Sequence, residues 1–151
     1  MWKKRKLQKK QEDYQVKDIS LSELKKAIQE YSLQLPDGVP LGIIVNEDLS
    51  LDYKLLAPYL KGIPRKKYYM SKETYDIFEE QDYQQALDLD MIQKAVDDYI
   101  MQTDELPVIS GDPYKKVSFH KLERLHLIPY RPEHPLYISN EEDLVTYKKP
   151  D

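Results

Sequence analysis

At 151 residues the chain has room for one domain or two very small ones. Its 39 Leu, Ile, Val and Phe residues, about a quarter of the chain, lie above the roughly one-fifth level below which a charged chain stays disordered, while 33% charged residues keep the core modest. No apolar stretch approaches the ~18 residues of a membrane span, the absence of cysteine excludes disulfides and thiolate chemistry, and four glycines leave no phosphate-cradling loop.

Residues 1–10 carry six positive charges and no negative one, so the formal net charge of −4 hides an asymmetry: with 17 basic and 27 acidic residues, the other 141 positions sum to −10. Residues 1–17 are expected to form a basic, disordered arm, and residues 18–151 a single globular domain. Gln11, Glu12 and Asp13 follow the basic run where a secretory signal needs an apolar region. A cytoplasmic location is therefore expected. The arm has three readings. It is a solvated tail; or Trp2, Lys3, Lys4, Arg5, Lys6, Lys9 and Lys10 meet an acidic partner or the anionic inner face of the membrane, at ~1 kcal/mol per basic residue; or it touches nucleic-acid phosphates without reading sequence. The acidic body argues against the last, and no nucleic-acid-binding signature accompanies it.

Leu21, Leu24, Ile28 and Tyr31 have helical spacing, and Ser20 with Glu23 fits a capping box at the start. Pro36, Asp37-Gly38 and Pro40 break that helix. Leu41–Val45 is short, apolar and rich in β-branched residues, which predicts a buried strand. Asp52 is placed to cap a short helix through Leu60, with Pro58 able to end it early. Residues 67–70 read as a second strand, and Ser71 as the cap of a further helix with Tyr75 and Phe78 on its inner side.

The longest helix is predicted near 83–102, from Tyr83, Ala86, Ile92, Ala95, Val96 and Tyr99. Residues 106–109 are a short extended segment, Gly111-Asp112-Pro113 is a turn, and Ser118 starts a helix through about Leu127. Pro129–Pro135 is too proline-rich for regular structure. Leu136–Ile138 is a strand, after which Ser139 and Glu142 suggest a capping box before a short helix or turn.

A shift of 68 residues aligns Leu24–Gln34 (LKKAIQEYSLQ) with Ile92–Gln102 (IQKAVDDYIMQ), identical at Lys26/Lys94, Ala27/Ala95, Tyr31/Tyr99 and Gln34/Gln102. The same shift matches Tyr69/Tyr137, Ser71/Ser139 and Glu73/Glu141. Between these blocks the same order recurs with small insertions: a Leu-Pro, then Leu51-Asp52-Tyr53-Lys54 against Val117-Ser118-Phe119-His120, then an Ile-Pro. The expected fold class is α+β: two pseudo-repeated helix–strand–helix–strand units, about 19–80 and 87–148, packed as one compact domain. Units of about 60 residues are marginal alone on surface-to-volume grounds.

Catalytic chemistry finds little support. His120 and His126 lie six apart, on different faces of a helix, and His134 sits between prolines, so their spacing makes no metal site. The pairs Asp97-Asp98, Glu79-Glu80 and Glu141-Glu142 point in different directions from one helix or turn and read as solvated faces. No nucleophile elbow or calcium loop is present. Tyrosine is abundant, 13 residues against two phenylalanines, and suits both half-buried packing and binding surfaces.

Leu55–Gly62 (LLAPYLKG), the run from Leu106-Pro107-Val108 through Asp112–Ser118 (DPYKKVS), and Pro135–Ile138 resemble a family of small, uncharacterised proteins of spore-forming Gram-positive bacteria. The resemblance covers most of the chain beyond the arm. It implies a bacterial cytosolic setting and transfers no catalytic residue.

The leading expectation is a non-enzymatic adaptor with no cofactor and no metal. The alternative is a small-molecule sensor or enzyme with its site in the seam between the repeats, drawing on Asp52 and His120. Weak nucleic-acid binding through the arm comes third.

Overall fold

The computed structural model describes residues 14–150 and is mixed α+β, with four α-helices and six short strands among those residues. The chain divides into two compact units, one ending at Met70 and the other beginning at Ser71. The basic decapeptide lies outside the described residues.

In the first unit, β1 (Val16–Lys17) pairs in parallel with β2 (Ile63–Pro64). Helix α1 (Leu21–Leu33) begins at the expected capping box: Ser20 Oγ accepts from the Glu23 N–H at 3.2 Å, and Glu23 accepts from the Ser20 N–H. Its buried stripe of Leu24, Ala27 and Ile28 packs on α2 (Tyr53–Leu60), where Leu56, Ala57 and Leu60 are buried. Each fully buried Leu or Ile there contributes about 1.5–3 kcal/mol over an exposed one. Tyr31 meets Tyr59 edge-on at 5.9 Å between ring centres.

Helix α2 is capped by Asp52, whose Oδ1 accepts from the Lys54 N–H at 3.1 Å. Pro58 lies inside the helix without ending it. The chain leaves instead at Lys61, in the left-handed region at φ 54°, whose N–H reaches Ala57 O at 2.7 Å.

Leu41–Val45 is not the predicted strand. Leu41–Ile44 is a 3₁₀ turn, and only Val45 is extended, bridging Leu51. Pro40 presets the backbone ahead of the turn, and i→i+3 bonds from Ile43 to Pro40 and from Val45 to Gly42 close it. The following loop is pinned by Asp48, which accepts from the N–H and hydroxyl of Ser50; the hydroxyl bond, first, then the N–H bond holds the carboxyl below its ordinary range. Strand β3 (Tyr68–Met70) runs beside that loop, with Ser50 bridging Tyr69 and the Met70 N–H donating to Leu49 O. The buried Tyr68 hydroxyl donates to Ile19 O at 2.7 Å. Tyr53 joins α2 to this segment, donating to Lys66 O and accepting from the Tyr68 N–H, and burial pushes its phenol up.

The second unit opens with a second difference from expectation. Ser71 does accept from the Thr74 N–H as an N-cap would, but no helix follows. Tyr75 turns to φ 64°, Asp76 O receives the Ser71 N–H, and the chain continues as β4 (Ile77–Glu79). The carboxylate of Asp90, a residue 17 to 19 positions away, takes the Ser71 hydroxyl and the Lys72 and Glu73 N–H groups, so a tertiary anchor replaces helix propagation.

Helix α3 (Tyr83–Thr103) follows a 3₁₀ turn at Glu80–Asp82 and is the axis of the second core. Leu89, Ile92, Ala95, Val96 and Tyr99 pack with Val117, Leu122, Leu136, Ile138 and Val145. Helix α4 (Phe119–Arg124) is capped by Ser118 as expected but stops short of Leu127. His126, at φ 58°, donates to Glu123 O while Leu127 donates to Leu122 O, a Schellman ending. Strands β5 (Tyr137–Ile138) and β6 (Val145–Thr146) pair antiparallel. The Ser139–Glu142 capping box is absent, and the segment is a turn in which Ser139 accepts from Glu141 while Glu142 and Asp143 adopt positive φ. A helix cannot propagate through consecutive left-handed residues.

Candidate functional site

Helix α3 carries three buried or half-buried polar side chains that each hold a distant segment of the second unit. Asp88, 4% exposed, accepts at Oδ1 from Gln84 one turn earlier and from the Tyr130 hydroxyl. Asp90 anchors the 71–73 turn. Gln93 accepts the Val145 N–H at 2.7 Å and donates to Asp97, so it completes the backbone pairing of β6. Two phenols respond to this polar line. Tyr130 is pushed up to about 12 by burial first, then by its bond to Asp88, and Tyr147, donating to Gln85 O at 2.6 Å, is raised by burial first and then by the Asp88 charge. Phenols that keep their protons at neutral pH serve here as donors. Sequence pattern alone did not single out Asp88, Asp90 or Gln93.

Two of the three histidines come together. His120, early in α4, and His134, in the proline-rich segment, line one cleft of about 430 Å³ with Lys116, Ser118, Phe119 and Arg131. Arg131 is oriented by Glu123: its Nε and Nη2 both donate to Glu123 Oε1, at 2.9 and 2.5 Å. That bond lowers the Glu123 carboxyl and raises the guanidinium. The His134 ring stands edge-on to Tyr147 at 6.2 Å. Another recess, of about 440 Å³, mixes Asp76 and Glu141 with Lys148 and Lys149 beside the hydroxyls of Thr74 and Ser139. Asp52, the other expected ligand contact, is the cap of α2 and does not line the His120 cleft. Among the described residues no group of three or more His, Asp or Glu is placed to hold a metal ion.

The surface has a separate feature. Met101, 84% exposed, and Leu33, 77% exposed, are the two most exposed large apolar side chains among the described residues. Both lie near the C-terminal ends of their helices. The membrane-contact residues Trp2, Lys3, Lys4, Arg5, Lys6, Lys9 and Lys10 lie outside the described residues.

Residues 14–147 match the model of a family described as "Protein of unknown function (DUF3939)". The chain belongs to that family. The DUF3939 match spans both units and supplies no activity or catalytic residue. No curated protein matches the chain, and no solved structure does. Among the described residues no helix is long and apolar enough to cross a membrane.

Proposed function

We propose that this chain is a cytoplasmic, bacterial, non-enzymatic adaptor built from two copies of one unit, and that it holds a protein partner through apolar side chains repeated on both copies. The observation that carries the reading is the pair Leu33 and Met101. An exposed apolar residue is ordinary by itself. These two, however, are the extreme cases, and they occupy the same position when α1 is laid on α3 at the 68-residue shift.

Duplication is supported by backbone features that recur in the same order in both units. Ser50 bridges Tyr69, and Lys116 bridges Tyr137. Leu49 and Lys115, each just before its bridge, have φ of 70° and 55°. The Met70 N–H reaches Leu49 O, and the Ile138 N–H reaches Lys115 O. Ser71 donates to Asp76 O as Ser139 donates to Leu144 O, with Tyr75 and Asp143 at matching positive φ. Non-glycine residues seldom adopt that conformation, so paired instances at paired positions weigh heavily for common descent. The basic arm adds a second contact, with an acidic partner or an anionic membrane face, and its support is the six positive charges in residues 1–10.

The test is an affinity capture from bacterial lysate with nuclease, comparing residues 1–151, a Leu33→Glu/Met101→Glu variant and residues 11–151. A protein retained by the parent and lost from the double variant, whose melting temperature is unchanged, is the expected result. Identical profiles for parent and double variant would overturn the reading, and identical profiles for 11–151 would remove the arm from it.

A further inference from the structure

We propose that the cleft lined by Lys116, Ser118, His120, Arg131 and His134 binds a small phosphomonoester, the phosphate among those side chains and the organic remainder against Phe119. At about 430 Å³ the cleft falls in the size range of small-molecule sites. Its donors suit an oxyanion. Lys116 supplies a compact charge, the imidazoles supply ring N–H groups, and Arg131 spends Nε and Nη2 on Glu123 while keeping the two N–H groups of Nη1. Ser118, 8% exposed, accepts from the Lys121 N–H and so has its own hydroxyl proton left to donate. Lys116 and Arg131 are the permanent cations of the lining and Glu133 its carboxylate, while Glu123 already pairs Arg131, so recognition falls to the free N–H and O–H donors and to Lys116, the cation not engaged by Glu123. The ion pair also joins the two segments that line the cleft, because Glu123 is on α4 and Arg131 in the proline-rich segment.

The charges make opposite demands, which the experiment uses. Residues 1–151, labelled with ¹⁵N, are titrated with phenyl phosphate and with inorganic phosphate at constant ionic strength, and amide shifts of residues 116–120 and 131–134 are followed. Saturable shifts are expected, with phenyl phosphate binding the tighter of the two. Lys116→Gln should weaken binding about fivefold and Glu133→Gln should tighten it by a similar factor, the scale of one solvent-facing charge contact. Absence of saturation, or a Glu133→Gln variant with unchanged affinity, would overturn the proposal. Equal affinities for the two probes would overturn the place given to Phe119. Glu133 is exposed and has no hydrogen bond or ion pair with another described residue, so its variant decides the matter even if Lys116→Gln disturbs the backbone bridge to Tyr137.

Discussion

The Tyr130 hydroxyl donates to the carboxylate of Asp88, 42 residues earlier on α3, and so ties the proline-rich segment to the main helix of its unit. The pairing is asymmetric. Asp88 is 4% exposed while Tyr130 is 44% exposed, so the phenol brings to a buried anion a donor it would otherwise draw from water. Gln84 completes the arrangement by donating to both partners' oxygens.

Alkaline stability should report this pair. The Tyr130 phenol is raised to about 12 from an ordinary 10, and Tyr147 is raised too. In the unfolded chain these groups ionise near pH 10, whereas the folded protein keeps their protons longer. Unfolding then releases protons, and the stability Tyr130 contributes is complete below pH 10 and is lost as pH rises from 10 through about 12, with Tyr147 carrying the loss on in the same direction. Tyr130→Phe should cost about 1–2 kcal/mol at pH 7 by leaving Asp88 short of a donor, yet show a shallower fall in urea midpoint above pH 10 than the parent. Equal slopes for parent and variant would assign the alkaline loss to other tyrosines.

Asp90 is expected to matter more than its half-buried position suggests. Its carboxylate gathers the Ser71 hydroxyl and two backbone N–H groups from one turn, and bonds to an ionised acceptor are stronger than neutral ones. Asp90→Asn should lower stability by about 1–2 kcal/mol and release the amide protons of Lys72 and Glu73 to faster hydrogen exchange. Unchanged exchange at those two amides would show the turn to be held by its own Ser71–Asp76 and Ser71–Thr74 bonds.

The contrast between caps and anchors explains what could be read from the sequence. Ser20 with Glu23, Asp52 and Ser118 cap the helices expected of them because a cap is a contact across two or three residues, visible in any short window. The long α3 was legible from its apolar period for the same reason. Asp88, Asp90 and Gln93 find partners 42, 18 and 52 residues away, and no local pattern distinguishes them from a solvated helix face. Ser71 shows both effects at once: its local cap signal is real, but Asp90 takes the turn over before a helix can form. Of the residues lining the cleft, His120 carried a sequence signal, whereas Lys116, Arg131 and His134 are gathered to it only by folding.

The two short helices allow their caps to be weighed against one another. Asp52 and Ser118 each satisfy one N–H at the start of a helix, of Lys54 and Lys121. Asp52→Ala and Ser118→Ala should each cost about 1 kcal/mol. The two sites sit in different compact units and share no partner, so the double variant should lose the sum within about 0.5 kcal/mol. Chemical denaturation of the four proteins closes this cycle, and a coupling above 1 kcal/mol would mean that the caps do not act independently.

The far ends of the same helices carry strain that can be relieved. Lys61 and His126 both stand in the left-handed region, at φ 54° and 58°, and both are exposed. A side chain there costs roughly 1–2 kcal/mol against the carbonyl that follows, whereas glycine meets no such clash. Glycine also gives the unfolded chain more freedom, which offsets about 0.5–1 kcal/mol of the gain. Lys61→Gly and His126→Gly should therefore each raise stability by about 0.5 kcal/mol, seen as a higher urea midpoint with the same slope. His126 makes the sharper test, because the Schellman bonds there, from His126 to Glu123 and from Leu127 to Leu122, involve only backbone and survive the exchange. A loss of stability at His126→Gly would mean that the imidazole makes a stabilising contact worth more than the strain.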